Sequence, residues 1–442
     1  MSIYKDCDIR GVYPSEIDAE AARRVGGALA ALHPGARMRV GGDVRLSTPE
    51  LKAALIDGLV RGGAHVEDLG TIPTPALYFA LARGGADGGA TVTASHNPPQ
   101  YNGIKFMFGS LPPTRADIDA VRAAAEAGDF PERPGSVERV DVLPAYLASL
   151  EARFRAPRPL RIVVDAGNGA MSRVAPEAFR RCGYEVVELF CEEDGAFPNR
   201  DPNPADYAHL TAVCAKVRAA GADLGVAFDG DGDRAVFIDE TGAAVVNERS
   251  LALFIREALK ARPTPVVYDQ KSSSAVKRTV LEMGGTPVPE RSGHAFIKRR
   301  FLELGAAMAG EVSGHFFFGE LGYDDGLFAA LMMAEIVARS GATLSKLAGA
   351  IVLPPITPDL RARCPYAEQQ AWLDRIEALA KDRPCKVSHL DGVRMEFEDG
   401  WVLARKSVTA EQITLRAEAD DEARLRGLMR LIAEALPEAS WK

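Results

Sequence analysis

Two stretches of this chain concentrate side chains that can do chemistry. In Thr93-Ala94-Ser95-His96-Asn97-Pro98 a serine hydroxyl follows the apolar residues 89–92 and sits beside an imidazole and a carboxamide. Asn102-Gly103-Ile104-Lys105 comes next, so an ammonium lies ten residues beyond the serine. Strand-to-loop turns are where a rigid sheet aims reactive groups at a ligand. Taken alone, the stretch is equally readable as ordinary turn chemistry. The second stretch, Asp229-Gly230-Asp231-Gly232-Asp233-Arg234, sets carboxylates at alternate positions with glycines between them. Such a run either converges on one hard cation such as Mg²⁺ or forms a solvated acidic turn. An EF-hand loop is excluded, because its sixth position needs glycine and holds Arg234, and the flanking residues 222–228 and 235–238 are apolar β runs. Arg234 offsets the acidic loop or grips a phosphate, and metal with arginine is a recurring arrangement for phosphoryl transfer.

Weaker signals lie further on. Gly310-Glu311-Val312-Ser313-Gly314-His315 offers an acceptor and a hydroxyl that suit vicinal sugar hydroxyls, or a turn with a capping serine. Gly322-Tyr323-Asp324-Asp325-Gly326 closely follows and shapes the same loop. Arg405-Lys406-Ser407-Val408-Thr409 reads as a phosphate nest or as a basic β-turn. Arg10, Arg45, Lys105, Lys271, His294 and Lys298 each follow or flank a strand-end loop, and singly each reads as a surface charge. His96 reads as a turn histidine, and the histidines as a set show no metal-ligand spacing.

The elements that must position these groups recur. Residues 38–47, 161–169 and 265–273 each run from an apolar β stretch through an aspartate into small residues. An amphipathic helical stretch follows each; after the first, Leu51, Leu55 and Leu59 share one face behind a cap at Ser47-Thr48-Pro49-Glu50 with proline at the first helical position. Each unit holds a second polar loop: residues 93–98, 229–234 and 311–315. The pattern is three copies of a related α/β unit. The tail differs, with helical periodicity over 367–381 and 421–436 around short strands at 387–397, 401–406 and 412–417. The expected architecture is therefore α/β: three related units of mixed sheets between helices, plus a smaller α+β C-terminal domain. The expected boundaries are 1–140, 141–247, 248–353 and 354–442.

A chain of 442 residues exceeds one core and calls for several domains. The net charge of −8 argues against general nucleic-acid affinity, while a local cationic pocket remains compatible with it. The six cysteines show no Cys-x-x-Cys pair and read as cytosolic free thiols. No signal-peptide core and no long apolar run is present, so a soluble cytoplasmic protein without membrane partners is expected.

With these loops in hand, the chain resembles the α-D-phosphohexomutase superfamily, most closely its bacterial phosphomannomutase/phosphoglucomutase branch. Five motifs occur in the family's order over nearly the full length: Asp8-Ile9-Arg10-Gly11, the Ser95 loop with Asn102-Gly103-Ile104-Lys105, residues 229–234, residues 310–315, and Arg405-x-Ser407-x-Thr409. The resemblance implies four domains around a central cleft. It implies that Ser95 is the phosphorylated serine, and that Asp229, Asp231 and Asp233 hold Mg²⁺ together with its phosphate. It also implies that Glu311 and Ser313 contact sugar hydroxyls, and that Arg405, Ser407, Val408 and Thr409 hold the non-reacting phosphate. Arg10, Lys105, Arg234, Lys271, His294, Lys298 and His315 match further positions lining the cleft, with Lys105, Arg10 and His315 as candidates for acid/base work. The implied reaction moves a phosphoryl group between C1 and C6 of mannose or glucose phosphates through a hexose 1,6-bisphosphate. Hexose phosphates are then the partners, in a monomer or weak dimer.

Departures from the family pattern stand at Cys7, commonly tyrosine, at Val408, usually Asn or Gly, and at Ala410-Glu411 in place of a residue-plus-proline ending. Valine resists positive φ and offers no polar contact, and Glu411 adds a negative charge near the phosphate loop. Three other readings stay open. One is an amino-sugar phosphate mutase, although Val312 stands where those enzymes usually carry Gln. The others are a metal-dependent sugar phosphatase and a sugar-phosphate-binding module without activity.

Overall fold

The apolar β runs at 38–42, 161–165 and 265–269 each become the central strand of a separate sheet. The computed structural model describes residues 3–130, 132–260, 263–381, 383–407 and 411–441. The first sheet comprises β1 (Ile9–Val12), β2 (Arg37–Gly42), β3 (His65–Thr71), β4 (Gly88–Val92), β5 (Tyr101–Phe108) and β6 (Ser136–Arg139), in the order β1-β5-β4-β2-β3-β6. The second comprises β7 (Arg161–Asp165), β8 (Glu185–Leu189), β9 (Leu224–Phe228), β10 (Ala235–Asp239) and β11 (Ala244–Val245), in the order β11-β10-β9-β7-β8. The third comprises β12 (Pro265–Asp269), β13 (Thr286–Glu290), β14 (Met308–Gly310), β15 (Phe316–Phe318) and β16 (Tyr323–Asp324), in the order β13-β12-β14-β15-β16.

The three sheets share one plan. The central strands β2, β7 and β12 pair in parallel with the next strand on one side and with the third on the other. The third strand then turns back into an antiparallel fourth: β4 into β5, β9 into β10, β14 into β15. Each chemistry-bearing loop occupies this same hairpin position. The expected internal repeat is thus present as topology, and it explains why the three loops can meet.

The tail forms a fourth, antiparallel sheet: β17 (Leu360–Arg363), β18 (Lys386–Ser388), β19 (Val393–Phe397), β20 (Gly400–Lys406) and β21 (Gln412–Ala419), in the order β17-β21-β20-β19-β18. Two details differ from the sequence reading. Residues 387–397 are a hairpin rather than one strand, because the chain reverses around Asp391-Gly392, where Gly392 has φ 80°. β17 was not expected, since its alternating arginines mask a strand in which Ala362 alone is buried.

One apolar cluster runs from the helix Thr74–Ala82 through the second and third units, including Phe228, Phe254, Phe316 and Phe328. The C-terminal unit keeps its own core around Trp372, Leu415 and Ile432. Its contacts with the third unit include polar ones: Glu418 accepts from Ser274 N at the start of the helix Ser274–Glu282, and Arg416 bridges to Glu248. Among the described residues no helix is long and apolar enough to cross a membrane.

Candidate active site

The helix Thr48–Arg61 begins where expected and buries Leu51, Leu55 and Leu59. Ser47, however, makes no side-chain cap, and Pro49 is the second helical residue. The Ser47 hydroxyl instead accepts from Asn102 Nδ2 at 2.8 Å, tying the helix start to the segment that carries Lys105.

Ser95 is buried and has a left-handed backbone, φ 51°, a conformation that non-glycine residues hold only when their surroundings enforce it. Arg45 provides that enforcement, and it is not the surface charge read from sequence. It is fully buried; Nη2 donates to Ser95 O and Asn97 O, Nη1 to Pro98 O and Tyr101 O, and Nε to Asp43 at 3.1 Å. One guanidinium thus satisfies four carbonyls of the serine loop. Arg10 joins the same loop through Asn97 Oδ1, at 2.8 Å, and pairs with Asp8.

The serine hydroxyl donates to Asp229 Oδ2 at 2.8 Å, while His96 Nδ1 stands 3.4 Å away. Burial, with Arg234 and Arg10 nearby, holds the His96 imidazole well below its ordinary pKa, so it is neutral. The second loop approaches so closely that a Cβ on Gly230 would come 2.5 Å from Ser95 O. Glycine between the aspartates is therefore a condition of bringing the hydroxyl to the carboxylates.

Asp229, Asp231 and Asp233 are all fully buried, with one oxygen of each within 4.8 Å of the others. Asp229 Oδ1 accepts from Gly232 N and Arg234 N. Asp231 Oδ2 accepts from Thr74 Oγ1 and Lys105 Nζ, and Asp233 Oδ2 from the same ammonium. Asp231 Oδ1 and Asp233 Oδ1 are buried without a hydrogen bond, the latter 3.7 Å from His315 Nδ1. Burial and the neighbouring Asp233 and Asp231 push the Asp229 carboxyl well up. Burial also works against the charge on Lys105, but Asp231 and Asp233 outweigh it and raise that pKa well above the ordinary value. Orphaned oxygens on crowded, buried carboxylates are what a hard divalent cation relieves, so the donor set fits one.

The third loop meets the second by an isolated bridge between Arg234 and His315. Arg234 Nε donates to His315 Nε2 at 2.8 Å, so Nδ1 carries the imidazole proton and donates it to Asp324 at 2.8 Å. Asp324 also accepts from His294 Nε2 and is held well below the carboxylate range, since the two imidazoles outweigh its burial. In sequence Asp324 reads only as a loop former, and its spacing from His315 carries no signal that it orients two rings. Glu311 Oε2 accepts from Ser313 Oγ, and Glu311 Oε1 is buried with no partner.

These groups border one cleft of about 950 Å³. Arg10, Ser95, Lys105, Arg234, Lys271, His294, Lys298, Glu311 and His315 line it, as do Arg405 and Ser407 at its far end. The aspartates lie beneath the lining, and Ser313 stands outside it, donating to Glu311, which lines it. Val408 and Thr409 lie outside the described residues.

Lys298 is buried with Nζ 3.7 Å from the centre of the Tyr78 ring, and burial brings its pKa down to about 8 against the pull of Asp324. A phosphate dianion is drawn into the cleft more strongly while this ammonium is charged. As pH rises through about 8 the free protein loses this charge, so KM for a hexose phosphate should climb, by at most about tenfold per unit. Lys298→Arg should move that limb to higher pH. KM measured from about pH 6.5 to about 10 checks both.

Three repeated α/β units and a fourth domain, closing on a serine over buried carboxylates, define a multidomain α/β protein with a polar, charge-lined cleft. Residues 1–132, 144–242 and 247–353 match phosphoglucomutase/phosphomannomutase alpha/beta/alpha domains I, II and III, and residues 361–435 match the C-terminal domain. The chain belongs to the phosphoglucomutase/phosphomannomutase family. It is 36% identical to a phosphomannomutase/phosphoglucomutase of Pseudomonas aeruginosa, covering 98% of this chain and 95% of that one. It is also 36% identical to a phosphoglucomutase of Neisseria gonorrhoeae, covering 99% and 98%. The crystal structure of a phosphoglucomutase/phosphomannomutase family protein from Burkholderia thailandensis superposes with a TM-score of 0.92 at 38% identity, over 99% of this chain and 98% of the other.

Proposed function

We propose that this chain is a phosphohexomutase that interconverts the 1- and 6-phosphates of mannose and glucose, with Ser95 as the phosphoryl carrier. The observation that carries the reading is the 2.8 Å contact from Ser95 Oγ to Asp229, beside two buried carboxylates with unpartnered oxygens. Asp229, Asp231 and Asp233 would hold a Mg²⁺ together with the Ser95 phosphate, and the metal would supply charge neutralisation for the transfer. Phosphorylated Ser95 gives its phosphoryl group to the free hydroxyl of a hexose monophosphate, and the resulting 1,6-bisphosphate returns its other phosphate to Ser95. No water enters the balance, and a closed cleft protects the phosphoserine from hydrolysis.

Lys105, Arg10 and Arg234 surround the transferring group with positive charge, where electrostatic stabilisation has most to contribute. His315 is a candidate base for the sugar hydroxyl: Asp324 fixes its tautomer, and Nε2 becomes available when Arg234 turns to phosphate. Glu311 would accept from the sugar through Oε1, which is buried without a partner, in a site that His294 and Lys298 also line. Lys271, Arg405 and Ser407 would take the non-reacting phosphate. The proposal keeps the four-domain division at 140, 247 and 353, a monomer or weak dimer, and no nucleic-acid partner. It also keeps a cytoplasmic setting, in line with six free thiols.

Purified protein given mannose 1-phosphate, Mg²⁺ and a trace of hexose 1,6-bisphosphate should form mannose 6-phosphate with little free phosphate, as followed by phosphorus NMR. Quantitative release of inorganic phosphate would instead make the protein a phosphatase.

A further inference from the structure

The cation at the far end of the cleft already faces an anion of its own chain. Arg405 Nε lies 3.1 Å from Asp391 Oδ2, yet this N–H is buried without an aligned acceptor. Asp391 sits in the turn between β18 and β19 and also touches the third unit twice. Its carboxylate accepts from Ser292 N at 3.2 Å, and its carbonyl from Gln270 Nε2 at 3.0 Å. Lys271, the cation facing Arg405 from the third unit, is treated in the same way. Its Nζ donates to Asp359 Oδ2 at 2.9 Å and lies 3.8 Å from Asp269 Oδ2, while Asp359 Oδ1 is buried without a hydrogen bond, 3.8 Å from Arg416 Nε. Asp391 and Asp359 both come from the C-terminal segment, whose apolar core is separate and whose contacts with the third unit include several polar ones. Arg405, Lys271, Asp359 and Ser292 all border the cleft.

We infer that Asp391 is a positioning residue: it holds Arg405 and docks the β18–β19 turn on the third unit until a substrate phosphate takes the guanidinium from it. The inference rests on the proposed function in assigning Arg405 to the non-reacting phosphate. A carboxylate brings one charge and poor alignment; a phosphate dianion brings nearly two and three oxygens, and so replaces it. The exchange lowers apparent phosphate affinity by whatever the Asp391–Arg405 pair contributes. That contribution is modest for a pair that is partly solvent-accessible, and losing it is read directly in binding.

Asp391→Asn keeps an oxygen for Ser292 N and removes the competing charge. Its dissociation constant for inorganic phosphate, by calorimetry, should fall about 2- to 5-fold. KM for glucose 1-phosphate should fall in parallel while kcat changes less than about twofold. Asp391→Glu, which restores the charge, should return both constants toward wild type. Phosphate affinity that stays unchanged or weakens in Asp391→Asn overturns the inference, whatever the turnover. Absence of turnover in wild type and variant alike, with the phosphate shift intact, overturns the mutase reading and leaves the inference standing.

Discussion

Asp231→Asn should retain a folded protein and lose about 10³-fold or more in turnover, because a bound metal supplies several kcal/mol of transition-state stabilisation and each 1.4 kcal/mol is about tenfold. Asparagine preserves shape and can still accept from Thr74 Oγ1, and Lys105 keeps Asp233. What disappears is one of the buried anions, together with the oxygen that has no partner. Thermal unfolding separates a metal defect from a folding defect. Mg²⁺ should raise the wild-type Tm and leave that of the variant unmoved, since a ligand stabilises only the state that binds it. Wild-type turnover in the variant would remove the carboxylate loop from the chemistry.

Arg45→Met should be the most damaging single change to stability near the site, by about 3–5 kcal/mol, because it strands Asp43 as an unpaired buried charge. The same change deprives the Ser95 loop of the donors that its four carbonyls share. Asp43→Asn combined with Arg45→Met should recover part of the stability, since the buried charge is gone, and little of the activity, since the loop is still unbraced. Urea unfolding followed by near-ultraviolet circular dichroism reads the first transition, and turnover reads the second effect. Equal recovery of stability and activity would mean that Arg45 only neutralises Asp43.

Both predictions turn on residues whose legibility in sequence differed sharply. Alternating aspartates and glycines between two apolar β runs narrow the loop to a hard-cation site or a solvated acidic turn, and the β runs place the strands. That Gly230 must lie against Ser95 O, however, is a fact about two units meeting, and no local pattern encodes it. Arg45 was misread for the same reason. A guanidinium in a polar loop looks solvated until the carbonyls that surround it, drawn from residues some fifty positions away, are in place. Asp324 was hidden as a turn former, since acidic residues beside glycine are commonplace in loops, and Asp391 was hidden inside the single strand expected over 387–397. Ser47 shows the reverse case: the helix start was legible, but its hydroxyl serves Asn102 rather than the helix. The repeated topology was legible in outline because each unit repeats strand, aspartate and small residues. The short arginine-bearing β17 escaped because its burial rests on one alanine.

Phosphopeptide mapping after brief exposure to glucose 1,6-bisphosphate and Mg²⁺ tests directly whether Ser95 is the phosphoryl carrier. One phosphoryl group should appear on the peptide containing Ser95 and leave for hexose monophosphate, not water, when that sugar is added. Phosphate found on another residue, or turnover with no phosphorylated protein and undiminished activity in Ser95→Ala, would contradict it.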